Sequence, residues 1–112
     1  MKECLFCKII NRKAPSKIVY EDNRFTAFKN IKPVAPVHLL IVPQKHIPTI
    51  NHLKQKDRQL IGELFLIAKK IAQEQGLSKR GYRLIINFGK DSGQTIEHLH
   101  LHLIGGKKLP WA

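Results

Sequence analysis

The stretch Glu97-His98-Leu99-His100-Leu101-His102-Leu103 decides how this chain is read. Histidine and leucine alternate strictly along it. Successive side chains of a strand point to opposite faces, so the three leucines enter a core while the three imidazoles line the other face. Alternate residues stand roughly 7 Å apart along a strand, so neighbouring rings can reach each other or share a ligand. The outer pair is roughly 13 Å apart along the strand. One straight strand cannot easily bring all three rings to one zinc ion, which needs its nitrogens at about 2.0–2.1 Å. The pattern therefore predicts a polar relay. A solvent-facing strand with incidental histidines is the plainer alternative. Six histidines in 112 residues, three of them in alternation, weigh against it.

The histidine row reads as the last strand, Ile96 to Ile104, ended by Gly105-Gly106. Before it, Tyr82 to Phe88 is a strand, and Gly89 to Gly93 is a polar, glycine-flanked loop. The clearest helix spans about Asp57 to Gln75, with Leu60, Ile61, Leu64, Phe65, Ala68, Ile71 and Ala72 on one stripe and Gly76 as its stop. Lys17 to Glu21, Phe25 to Phe28 and His38 to Val42 are strands; Asp22-Asn23 is a turn, and Pro33 and Pro36 impose a loop. Leu5 to Ile10 makes one or two helical turns. No repeat or linker divides residues 1–112. The order predicts a single α+β domain: an antiparallel five-stranded sheet with one long helix and a short N-terminal helix.

A neutral, oriented imidazole is a nucleophile, and phosphorus suits it as the electrophile. The anionic oxygens of a phosphate need donors nearby. Gly89, Ser92, Gly93, Gln94 and Thr95 supply candidates immediately before the row. Glycine lets backbone N–H groups approach closely, and the Thr95 hydroxyl can donate directly.

The run Gly93 to Leu103 resembles the signature of the histidine-triad (HIT) superfamily. The likeness extends along nearly the whole chain. Leu5 to Ile10, Ala35 to His38, Val42 to Ile47, Gly81 to Leu84 and Gly105 to Trp111 are all similar to the Hint branch. The third histidine, His102, separates the chain from the galactose-1-phosphate uridylyltransferase branch, which has glutamine there. Gly105-Gly106 differs from the Pro-Arg that usually follows the row in the dinucleoside-polyphosphate hydrolase branch.

The resemblance implies a homodimer whose two sheets join into one. It implies hydrolysis of nucleoside 5′-monophosphoramidates, usually purine ones, with no catalytic metal. By that analogy His100 is the nucleophile and passes through a nucleotidyl-histidine intermediate. His102, with His38 and His98, would orient the ring, contact phosphate and relay a proton to the leaving amine. Asn87, Gly93, Gln94 and Thr95 would hold the phosphate and the 5′ end of the sugar. Phe6, Ile9, Phe28, Ile31 and Leu40 would form the base pocket, although each also has a plain core reading. Asn30 stands where the family usually has an aspartate that accepts hydrogen bonds from the ribose; asparagine accepts without charge, which weakens such bonds. Trp111, the only tryptophan, lies one residue from the end of the sequence. The resemblance favours its docking at a partner subunit's site over packing on its own surface. Hydrolysis or transfer on dinucleoside polyphosphates or adenylylated acceptors is the alternative activity. A non-catalytic nucleotide-binding module is the alternative class.

Cys4-x-x-Cys7 has metal-ligand spacing without a second pair. His46 and a triad histidine, His98, would complete a Cys₂His₂ zinc site of the kind some HIT proteins resemble. Two inert buried thiols are the equal alternative. A redox pair fits less well, since no strand precedes Cys4.

Lys and Arg number 20 against 8 acidic residues, for a formal charge of +12. Such a field attracts anions such as nucleotides. The basic residues are spread from Lys2 to Lys108 with nothing longer than short pairs, such as Arg12-Lys13, Lys69-Lys70 and Lys107-Lys108, so no nucleic-acid arm is indicated and solubility is the simpler account. No apolar run reaches the ~18 residues of a membrane span, and Leu5-Phe6 runs almost at once into Lys8 rather than into a leader. The cytoplasm is the expected location.

Overall fold

The computed structural model describes residues 4–111. Five strands form one antiparallel sheet: β1 (Ile18–Glu21), β2 (Phe25–Lys29), β3 (Val37–Pro43), β4 (Tyr82–Ile85) and β5 (Leu101–Gly105). Their spatial order is β1-β2-β3-β5-β4. Helix α1 (Leu5–Ile10) precedes the sheet, and helix α2 (Arg58–Glu74) connects its two halves. This is the predicted α+β architecture.

The two helices take opposite faces of the sheet, and the strand alternation says which residue goes where. Phe25, Ala27, Leu39, Ile41, Leu101 and Leu103 face α2, where they meet Leu64, Ala68, Ile71 and Ala72. Phe28, Leu40 and Val42 face the other way and pack under Phe6 and Ile9 of α1. Burying a large aliphatic or aromatic side chain contributes about 1.5–3 kcal/mol, so the α2 face supplies most of the stability. At the C-terminal end of α2, Gly76 adopts φ +74°, and the N–H groups of Gly76 and Leu77 cap the carbonyls of Gln73 and Ala72.

Two strands are shorter than their sequence pattern. The apolar run Tyr82 to Phe88 pairs only as far as Ile85, and the ladder of β5 begins at Leu101 rather than Ile96. One cause explains both. Beyond Ile41, β3 pairs only with β2, and Ile85 pairs with His102 as the last rung. Residues 96–100 therefore run past the sheet. Two bonds hold them there: Leu99 N–H donates to the Ile47 carbonyl at 2.6 Å, and the His98 ring donates to the Pro43 carbonyl at 2.8 Å. The alternation survives, because Leu99, Leu101 and Leu103 are all buried. Three short 3-10 turns, Ile50–His52, Gln55–Asp57 and Lys90–Ser92, complete the connections.

Candidate active site

The non-α2 face of the sheet carries the imidazoles. Leu40 pairs with His102 and Ile104 with His38, so His38 and His102 are diagonal neighbours on adjacent strands. Their rings meet, with His38 Nε2 2.9 Å from His102 Nδ1. His38 Nδ1 accepts the Val34 N–H at 3.2 Å, which puts the proton of neutral His38 on Nε2, from where it donates to His102. His102 then carries its own proton on Nε2. The His100 ring lies 4.9 Å from that of His102. His100 Nδ1–H donates to the carbonyl oxygen of His98 at 2.7 Å, leaving the Nε2 lone pair unshared.

Burial keeps these rings neutral. Desolvation pushes His38 and His100 below the usual histidine range. It pushes His102 down to about 4, helped by its neighbours His100 and His38. A neutral row offers lone pairs at physiological pH.

His100 and His102 form one wall of a cleft of about 430 Å³. Phe6, Ile9, Phe28 and Leu40 give it an apolar floor, with Asn30, Ile31 and Thr95 at its sides. Those nine were singled out from the sequence. Leu5, Ala14, Pro15, Ser16, Lys29 and Ile96 also line it. The segment Ala14-Pro15-Ser16 offered no periodicity or spacing from which this could be read.

Other expected site residues fall elsewhere. Asn87, Gly93 and Gln94 do not line the cleft. Gln94 instead shapes the preceding loop: its Oε1 accepts the Gly89 N–H at 2.9 Å and its Nε2 donates to the Ile96 carbonyl at 3.2 Å. Gly93, at φ +89°, closes the turn. Trp111 is 93% exposed, so docking on its own surface is not observed among the described residues. His38 stands behind His102. Asn30 Oδ1 accepts the Lys32 N–H at 2.9 Å, and its Nδ2 lies 3.2 Å from His38 Nε2.

His98 has two expected places, beside the phosphate and among the metal ligands, and its ring takes the second. It is fully buried, and its ring turns away from the cleft toward Cys4, Cys7 and His46. His98 Nδ1 is 3.3 Å from Cys4 Sγ and 3.5 Å from Cys7 Sγ; His46 Nδ1 is 3.5 and 3.3 Å from the same sulfurs. The four donor atoms lie within 4.8 Å of one another. A tetrahedron with zinc–sulfur and zinc–nitrogen bonds of about 2.3 and 2.0–2.1 Å has sulfur–nitrogen edges of about 3.5 Å. The donor set and its spacing therefore fit a divalent metal. His98 Nε2–H donates to the Pro43 carbonyl, which fixes the tautomer that frees Nδ1 for ligation. No helix among the described residues is long and apolar enough to cross a membrane.

With this geometry in view, comparison with known proteins assigns the class. Residues 3–110 match the family model described as "Scavenger mRNA decapping enzyme C-term binding". A HIT family hydrolase from Legionella pneumophila superposes with a TM-score of 0.95 at 48% identity, covering 97% of each chain. A histidine triad protein from Clostridium difficile gives 0.94 at 43% identity, covering 100% of this chain and 99% of the other. The chain belongs to the histidine-triad (HIT) family. Within that class, it is 45% identical over 108 residues to the purine nucleoside phosphoramidase of Escherichia coli strain K12, spanning 96% of this chain and 91% of that protein.

Proposed function

We propose that the protein is a nucleoside phosphoramidase, a hydrolase that cuts the P–N bond of nucleoside 5′-monophosphoramidates. The observation that carries this reading is the His100 tautomer. Its Nδ1–H is spent on the His98 carbonyl at 2.7 Å, so a neutral Nε2 lone pair remains at an apolar cleft large enough for a nucleoside. Similarity to the E. coli phosphoramidase supports the substrate class.

In this chemistry His100 Nε2 forms a bond to phosphorus as the P–N bond breaks. The leaving nitrogen takes a proton from His102 Nε2, and His38 steadies the ring through its bond to His102 Nδ1. Water then attacks the nucleotidyl-histidine and returns a proton to His102 Nε2 as its oxygen bonds to phosphorus; the phosphorus–His100 bond breaks, releasing a nucleoside monophosphate and restoring both rings. Thr95, on the cleft wall, donates to phosphate; Phe6, Ile9, Phe28, Ile31 and Leu40 hold the base, and Asn30 the ribose. The deciding experiment is turnover of adenosine phosphoramidate beside a dinucleoside polyphosphate, with His100→Ala as control. Salt-sensitive binding without turnover would instead mark a binding module.

Zinc is the metal best suited to Cys4, Cys7, His46 and His98. Four protein ligands leave no open position, so its contribution is structural, and catalysis needs no cofactor. A homodimer completes the reading. β4 is an edge strand, half-buried along its length, whereas a register shift between Ile18 and Tyr20 blunts the β1 edge. Phe65 and Leu66 of α2 are exposed apolar residues that a second copy would cover. A cytoplasmic location suits a purine nucleotide substrate.

A further inference from the structure

The Cys4–Cys7–His46–His98 cluster and the cleft meet at two residues. His98 gives its ring nitrogen Nδ1 to the cluster, while its main-chain carbonyl accepts the Nδ1–H of His100. Phe6 sits between Cys4 and Cys7 in α1. Its ring stands edge-on to His98 at 6.0 Å and to His100 at 5.0 Å between centroids.

Neither residue is fixed by regular structure. His98 lies outside the strand ladder, so no sheet bond holds its carbonyl. Helix α1 has six residues, too few to be stable without tertiary contacts. The cluster joins both: one ligand is the N-cap of α1, one lies within α1, one comes from the loop before Ile47, and one is His98 itself. We propose, on the reading of His100 as the nucleophile, that His98 and Phe6 are positioning residues through which metal occupancy of the cluster fixes the ring orientation and tautomer of His100.

The physical logic is that of an outer contact that orients a reactive group. With the metal held, the His98 carbonyl and the Phe6 ring are stationary, and His100 keeps its proton on Nδ1. With the metal lost, α1 loosens and the carbonyl shifts. The His100 proton then distributes over both nitrogens, and the Nε2–H form has no lone pair to give.

His46 is the ligand to change, because it is exposed and does not line the cleft. In His46→Ala we expect loss of the metal by elemental analysis, mixed His100 tautomers by long-range ¹H–¹⁵N NMR, and at least about tenfold weaker binding of adenosine monophosphate, used as the probe. His46→Cys keeps four metal donors and should restore all three readouts. A metal-depleted His46→Ala protein that keeps the Nδ1–H tautomer and binds the probe within about twofold of the parent overturns the proposal. If His46→Ala retains its metal, the same readouts on the chelator-stripped parent decide. If either protein unfolds, Phe6→Leu in the metal-loaded protein decides: mixed tautomers support the proposal and an unchanged tautomer overturns it. Turnover enters none of these measurements, so a failed nucleophile assignment shows separately, as activity retained by His100→Ala.

Discussion

His100 donates its Nδ1–H to the carbonyl oxygen of His98 across 2.7 Å, and this single bond determines which nitrogen of the ring can react. On the proposed reading, removing the ring removes the nucleophile. His100→Ala should lower kcat/KM for adenosine phosphoramidate by at least about 10³-fold, or about 4 kcal/mol of barrier. The side chain borders an open cleft, so its loss leaves no closed cavity in the α2-side core. The thermal midpoint should fall by less than about 5 °C, on the order of 1 kcal/mol for a domain of this size. Activity above a few per cent of the parent removes His100 from that role.

Metal content tests the Cys4–Cys7–His46–His98 cluster. Protein purified without chelators should carry about one zinc per chain, and chelation should lower the thermal midpoint, since ligand binding to the folded state alone stabilises it. Cys4→Ser should lose the metal. Elemental analysis that finds none, even after reconstitution, rules out the site while leaving the cleft chemistry intact.

The buried imidazoles set an acid limit. An unfolded histidine takes its proton near pH 6.5, whereas folded His102 resists until about 4, chiefly through desolvation. His38 shifts in the same direction for the same reason. Below pH 6.5 the unfolded chain binds more protons than the folded one, so stability falls from there to about pH 4. Thermal midpoints across that interval should drop steadily, and the drop should shrink in His102→Gln. The acid limb of kcat/KM should lie below pH 6.5; a limb above it would contradict neutral rings held by burial.

Asn30 lines the cleft without a charged acceptor for the ribose that the proposed reading places there. Its acceptor Oδ1 is occupied by the Lys32 N–H, and its donor Nδ2 faces His38. Asn30→Asp supplies a charged acceptor, so it should lower KM for a ribonucleotide substrate by a few-fold, about 1 kcal/mol, and less for the 2′-deoxy analogue. The new carboxylate beside His38 also favours its charged form, moving the acid limb to higher pH. Equal KM changes for both sugars would remove residue 30 from ribose contact.

The fold was legible where periodicity and burial coincide. The apolar stripe Leu64, Ala68, Ile71, Ala72 located α2 to within one residue of each end. The alternation around His100 correctly sorted the leucines into the core. It did not reveal where pairing stops, because alternation belongs to extended backbone and a ladder needs a partner; past Ile41 and Ile85 there is none for residues 96–100. Alternation alone did not separate His98 from the other two histidines; its place beside the cysteines is expected from the Cys4-x-x-Cys7 spacing and the family resemblance. Its spacing from His100 matches that of His102, yet its ring is held by the Pro43 carbonyl, a residue 55 positions earlier in the chain. Cleft residues from Ala14-Pro15-Ser16 carry no pattern and became visible only when α1 was seen to fold over Phe28 and Leu40.

The tail tests the dimer. Arg83 of β4 donates to the Pro110 carbonyl at 2.7 Å, and Arg80 to the Gly106 carbonyl at 3.3 Å, so the segment after β5 is pinned beside the open β4 edge. Trp111 follows directly and stands 93% exposed. Ala112 lies outside the described residues. An exposed tryptophan is unfavourable unless it docks, and a second copy joined across β4 would meet the tail where it leaves Arg83. The tail should then complete the partner's site near the leaving amine. Sedimentation should give the mass of a dimer. Truncation after Leu109 should alter rate ratios across a series of amine leaving groups by severalfold while moving the thermal midpoint little, because Pro110 and Trp111 are exposed. Arg83→Ala, which frees the Pro110 carbonyl, should shift the same ratios in the same direction. If the truncated enzyme keeps one common ratio across the series, the tail has no part in selecting the leaving group.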